Sequence, residues 1–205
     1  MPVSKLSDSL TANGSKRTYQ SFLAGNAPQT PDAWDSISTT TVTANVTSVT
    51  ISVPQTYGHL RLHIAGKTNT VADAIENFTL RFNGDTGANY TRQYMFTDNK
   101  TGTTFGSQLA SSLSAAYVGR LPKSGASQGS CFGYALIDIL DYTIGTKNKT
   151  WKSIQFYDRG NASDSSIGYQ TGTWLNNSAI SSIQVIPGDT YFVSGTTISI
   201  YGLKG

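Results

Sequence analysis

The side chains with chemical reach in this 205-residue chain are few and widely spaced. The only two histidines, His59 and His63, lie four residues apart in GHLRLHIAG. On an extended strand that spacing puts their Cα atoms about 13 Å apart on one face. A shared metal would need both imidazoles at about 2 Å, so the pair reads as solvent-facing or interface residues. The single cysteine, Cys131, has no base beside it and opens an apolar run containing Phe132, Tyr134 and Leu136. That is the setting of a buried, unreactive thiol. Asp138 and Asp141 in IDILDY would need facing positions across a cleft to act as an acid/base pair; they read instead as hydrogen-bond partners of a turn. DRGNASDS collects Asp158, Asn161 and Asp164, oxygen donors that suit calcium, but without EF-hand spacing, and such loops arise from turn chemistry alone. No catalytic residue, metal site or cofactor is expected.

Phosphate cradles are equally unsupported. NGDTGAN and KSGASQGS carry neither phosphate-binding fingerprint, and neither runs into a helix whose N-terminus could hold an anion. The balance of 15 basic and 12 acidic residues gives a net charge of +3. The longest basic run is Lys16-Arg17, which leaves counterion release little to work with, so nucleic acid is not an expected partner. One cysteine excludes an internal disulfide framework and a multi-cysteine zinc site. The first sixteen residues lack the apolar run of a secretory signal, and no stretch approaches the roughly 20 apolar residues of a membrane span. A protein made and kept in a cytoplasm, with no membrane partner, is therefore expected. The eight Asn-x-Ser/Thr triplets, at Asn13, Asn45, Asn77, Asn89, Asn99, Asn148, Asn161 and Asn176, then reflect a hydroxyl- and amide-rich surface rather than glycosylation.

The elements that would position these residues are strands. Only 13% of the chain is charged, but eleven Tyr, eight Phe and three Trp supply the bulk a core requires. Residues 1–36 hold, besides Pro2, two spaced prolines, Pro28 and Pro31, and few apolar residues beyond Leu6, Leu10, Tyr19, Phe22, Leu23 and Trp34. They read as an extended arm and linker, ordered by a neighbour if at all, or as a simple disordered leader. From Ile37 the period becomes two. Val42, Ala44 and Val46 alternate with polar residues, and Val49, Ile51 and Val53 do so in the opposite phase, which calls for a bulge or turn near Thr47-Ser48. Leu60, Leu62 and Ile64, then Phe78, Leu80 and Phe82, mark half-buried strands.

The pattern continues through NYTRQYMFT, SLSAAYVGRL, CFGYALIDIL, TWKSIQFYD, SIGYQTGTWL, ISSIQVIPG and TTISIYGL, with turn residues between. SQLASSLSAAYVG could present one helical face through Leu109, Leu113 and Ala116, but its serines and Gly119 count against a helix. About ten short strands and no convincing helix predict one all-β domain over residues 37–205, a single jelly-roll-like antiparallel β-sandwich behind a 1–36 arm. Tyr90, Tyr94, Tyr157, Tyr169 and Trp174 either form a sugar-stacking or docking surface or, as strand aromatics more commonly do, pack internally.

Six segments in order, VPQTYGHLRL, TLRFNGDTGANY, FGYALIDILDY, TKNKTWKS, GTWLNNSAISSIQV and the terminal SIYGL, carry a resemblance. Residues 37–205 resemble a β-sandwich module of structural proteins in tailed-bacteriophage virions. The resemblance implies a non-enzymatic virion part assembled in the host cytoplasm. Its two forms are a capsid decoration or cement protein on the major capsid protein lattice, and a tail-fibre module that meets a tail protein or a host surface glycan. Modules of this kind commonly assemble as trimers, so a homotrimer is implied. The arm lies outside the resemblance; its partner-binding candidates are Lys16, Arg17, Tyr19, Phe22, Leu23 and Trp34.

Overall fold

The computed structural model describes residues 34–69, 75–98, 104–124, 131–158, 165–188 and 191–204. Of the arm candidates, Lys16, Arg17, Tyr19, Phe22 and Leu23 lie outside the described residues, as do Asn161 and Asp164. The described chain is an all-β sandwich of antiparallel strands, with no helix among the described residues.

Its strands are β1 (Trp34–Thr41), β2 (Val49–Ser52), β3 (His59–Gly66), β4 (Ile75–Phe82), β5 (Tyr90–Asp98), β6 (Thr104–Leu113), β7 (Ala116–Pro122), β8 (Gly133–Leu140), β9 (Lys149–Tyr157), β10 (Ser166–Trp174), β11 (Ser182–Pro187) and β12 (Thr197–Leu203). One sheet runs β1-β12-β3-β8-β9-β10-β5-β6 and the other β2-β11-β4-β7. Sheets of eight and four make a more lopsided sandwich than the eight strands of a jelly roll.

Between the sheets the alternating residues meet as their period requires. Leu60, Leu62, Ile64, Ile137, Ile139, Trp151, Trp174, Ile198 and Ile200 from the large sheet face Phe78, Leu80, Phe82, Val118, Ile183 and Val185 from the small one. SQLASSLSAAYVG is strand in both halves, β6 and β7, joined at Ser114-Ala115. The start of the domain departs from expectation. The first strand begins at Trp34 and carries an irregularity between Ser36 and Ser38, while the chain does bend at Thr47, just before β2. Residues 42–48 form no strand, although Val42 is buried and Val46 bridges to Phe192. Alternation of Val42, Ala44 and Val46 thus reflects a connection that dips twice into the core.

Two polar devices hold the sheets together. The first joins β4 to β5. Asn83 and Gly84 both have positive φ, 53° and 69°, and the Asp85 amide donates to the Phe82 carbonyl at 3.0 Å. This is the tight turn that Asn-Gly favours. It delivers the Asp85 carboxylate to the buried Trp174, whose Nε1 donates to it at 2.7 Å. Asn89 Nδ2 and the Gly87 amide donate as well, at 2.9 and 2.8 Å. Burial alone would raise this carboxyl, but the bonds from Trp174, Asn89 and Gly87 outweigh it and hold its pKa below the ordinary carboxylate value.

Because the folded-state pKa is the lower one, the stabilisation is complete above the unfolded value and is lost as pH falls through the folded one. Asp85→Ala should cost about 2 kcal/mol at pH 7 by urea unfolding, and the gap to the parent protein should narrow as pH falls below 4. A gap that stays constant down to pH 2 would contradict this account.

The second device caps β7, an edge strand of the small sheet that lies over β9 and β10. Ser153 Oγ donates to the Val118 carbonyl at 2.6 Å. With its amide oriented to satisfy both ends, Gln170 donates to the Tyr117 carbonyl at 2.8 Å and accepts from the Gly119 amide at 3.1 Å. Gln155 likewise donates to the Arg120 carbonyl at 2.9 Å and accepts from the Gly168 amide at 3.0 Å. Ser153, Gln155 and Gln170 are all buried, which is tolerable because each meets a main-chain partner.

Candidate functional site

The residues with chemical reach are dispersed and engaged structurally. His59 Nδ1 accepts the Asp141 amide at 3.0 Å. His63 Nδ1 lies 2.6 Å from the Tyr134 hydroxyl, and its ring sits edge-on to Tyr134 and Tyr201. Burial, then the charge of Arg61, lowers the His63 pKa and favours the neutral imidazole. No group of three or more potential metal ligands occurs among the described residues.

Two sequence readings need correction. Cys131 is half-buried rather than buried, and its thiol donates to the Asp158 carbonyl at 3.1 Å; it precedes β8 instead of lying within it. Asp138 serves no turn. On β8 it meets Arg61 Nε and Nη2 at 2.6 and 2.9 Å, a bidentate pair, with Lys152 Nζ at 3.5 Å. Burial would raise the Asp138 carboxyl, and the Arg61 hydrogen bonds prevail and lower it. Asp141, by contrast, does close a turn, with φ 52° and Lys147 Nζ at 2.5 Å. Trp34, the one described arm candidate, lies in β1 with its ring 4.4 Å from the Arg61 guanidinium carbon; cation–π stacking already occupies one of its faces.

The aromatic candidates divide. Tyr90, Tyr157 and Trp174 are buried, with Tyr90 and Trp174 stacked at 6.3 Å and burial pushing the Tyr90 phenol up to about 12. Tyr94 binds Gln108 and stacks on Phe96. Tyr169 alone of the five is exposed.

Tyr169 belongs to the feature that sequence reasoning missed. Register aligns outward-facing side chains of the large sheet in rows across the strands. One row runs His63, Leu136, Ile154, Tyr169, Met95; the next runs Ala65, Tyr134, Phe156, Ile167, Thr97. From β8 to β5 neither row contains a charge. The relative exposures of Ile154, Phe156, Ile167, Tyr169 and Met95 are 45, 49, 57, 42 and 47%. Together they show on the order of 500 Å² of apolar surface, the size of the largest patch on a typical soluble monomer, which is often functional.

Beside the patch, Arg61, Asp138 and Lys152 form a third, charged row that continues into Thr171, Gln93 and Leu109. Against protein-family models, curated proteins and solved structures, the chain matches none. The patch and its charged border therefore carry the functional reading. A hollow of about 270 Å³ opens at its β5 end, lined by Gln93, Tyr94, Met95, Ser107, Tyr169 and Thr171.

Proposed function

We propose that this chain is a non-enzymatic structural protein of a bacteriophage particle, a capsid decoration or cement protein that docks on the major capsid protein lattice and stabilises the head. The observation that carries this reading is the uncharged apolar face spanning four strands of the large sheet. A rigid sheet with apolar side chains held in fixed rows is suited to lying on a flat protein surface. The resemblance of the six ordered segments to virion modules supplies the setting.

Cryo-electron microscopy of the particle that carries this chain tests the proposal. Density on the head lattice with the β9–β10 face turned inward is expected, and density confined to the tail tip overturns it. Phe156→Lys, at an exposed position, should leave the domain folded and abolish its incorporation into particles. Incorporation at full occupancy would sink the docking face.

The hollow beside Tyr169 favours a second reading, a tail module that holds a host surface glycan, because an exposed tyrosine ringed by an amide and hydroxyls suits a sugar face. A glycan array separates the two: binding lost in Tyr169→Ala supports the glycan module, and uniform absence of binding removes it.

A further inference from the structure

Each sheet of an open sandwich ends in two edge strands whose free amide and carbonyl groups can pair with another chain, and proteins blunt such edges by identifiable means. Three of the four edges here are blunted. β2 is only four residues long. β7 is capped by Ser153, Gln155 and Gln170. β1 carries Asp35 and is broken near its middle by the irregularity between Ser36 and Ser38.

The fourth edge, β6, is different. It runs ten residues, TFGSQLASSL, without a charge or a proline. Its one bulge, where Tyr90 and Arg92 of β5 face Leu113 and Ala110, lies at its far end, as does the positive φ of Ser112. Thr104–Ala110 remains a regular seven-residue ladder paired on one side with β5. Among the described residues nothing covers the other side.

We infer that β6 is a self-pairing edge: two copies of this chain join β6 to β6, antiparallel about a two-fold axis at Ser107, making one sixteen-stranded sheet. A second copy is the occupant that the chemistry favours. An uncharged strand meets its own duplicate without like-charge repulsion, whereas an acidic or basic partner would find no complementary charge on it. Antiparallel pairing of a strand with itself is also inherently isologous and closed. The two-fold axis stands perpendicular to the sheet, so both apolar faces lie on the same side, and the Leu109 side chains, each 74% exposed, border the seam two residues either side of the axis.

Edge pairing of this length buries on the order of 1,000 Å² in total, the lower end for a specific interface. The dimer is therefore reversible and concentration-dependent. This inference keeps the structural-protein reading but sets a two-fold pair in place of the homotrimer that the resemblance implies, and solution measurements decide it without reference to any particle.

Sedimentation equilibrium of the full chain from 1 to 200 µM should show a monomer–dimer equilibrium. Ser107→Lys combined with Leu109→Lys should abolish it, with at least a tenfold weaker association and an unchanged melting curve. Phe156→Lys, on the sheet face but away from the edge, should dimerise like the parent. In the dimer, hydrogen exchange at alternate β6 amides between residues 104 and 110 should slow at high protein concentration. A monomer throughout the range, a trimer, a dimer that survives the double substitution, or a dimer lost in Phe156→Lys would each overturn the inference.

Discussion

Lys149→Met should destabilise the folded protein by about 3 kcal/mol in urea unfolding, while Lys147→Met, two residues away, should change stability by less than about 1 kcal/mol. Lys149 opens β9 on its core-facing side and has no exposed surface. Its ammonium donates to three main-chain carbonyls, those of Ile144, Lys147 and Asn177, at 2.5, 2.6 and 3.0 Å. Burial, reinforced by the nearby charge of Lys147, lowers its pKa from the ordinary lysine value.

The ammonium acts as a three-way clasp. It binds the 141–148 turn to itself and to the loop after β10, where Asn177 lies. Methionine fills similar volume but donates nothing, so three carbonyls lose their charge-assisted partner, and leaving buried acceptors unmet is the costly half of breaking a hydrogen bond. Lys147 is half exposed and, among the described residues, its ammonium pairs with Asp141, the kind of surface ion pair that contributes little. Equal effects of the two substitutions would refute the clasp.

Gly172→Ala should be at least as damaging, about 3 kcal/mol or more, or should prevent folding outright. A Cβ at Gly172 would fall on the Thr91 carbonyl oxygen and within 2.5 Å of the Trp151 ring. Both obstacles are fixed: Thr91 belongs to the paired strand β5, and Trp151 is wholly buried in the core. The Thr91 carbonyl enters the gap that the β10–β5 ladder leaves between Thr171 and Trp174, and Trp151 is the direct partner of Gly172 on β9, so both flanks of Gly172 are closed. Gly145→Ala is the matched control, because a Cβ there meets nothing within 4 Å, and it should shift stability by no more than about 0.5 kcal/mol. Near-equal unfolding midpoints for the two alanine variants would show that the strands at Gly172 yield more easily than their packing implies.

Neither effect was legible in the sequence. A lysine immediately before TWKSIQFYD looks like any solvated flank, and only the fold brings the carbonyls of Ile144 and Asn177 to one point. Strand content was legible, because Leu60, Leu62 and Ile64 or Phe78, Leu80 and Phe82 repeat at the period of a half-buried strand. Where the pattern misled, at Val42, Ala44 and Val46, a non-strand connection imitated that period by touching the core at two points.

The apolar face left a trace that could have been read. In β9 both phases are bulky, with Trp151 and Tyr157 inward and Ile154 and Phe156 outward. A strand apolar on both faces is the mark of a sheet covered on both sides. The register that merges Ile154, Phe156, Ile167, Tyr169 and Met95 into one patch depends on pairings between distant segments, which no local pattern encodes.

The amide caps on β7 also bear on how the domain responds to force. Face-to-face apolar packing resists separation but is only weakly oriented, so two sheets held by it alone can slide along their strands. Ser153, Gln155 and Gln170 tie the main chain of one sheet to side chains rooted in the other at three successive points along β7. Sliding by even one residue would break all of these bonds together and leave each donor and acceptor buried without a partner. The sandwich therefore has a shear stiffness that its aliphatic interior would not provide, and under a load directed along the strands it should hold its shape up to a threshold and then fail abruptly.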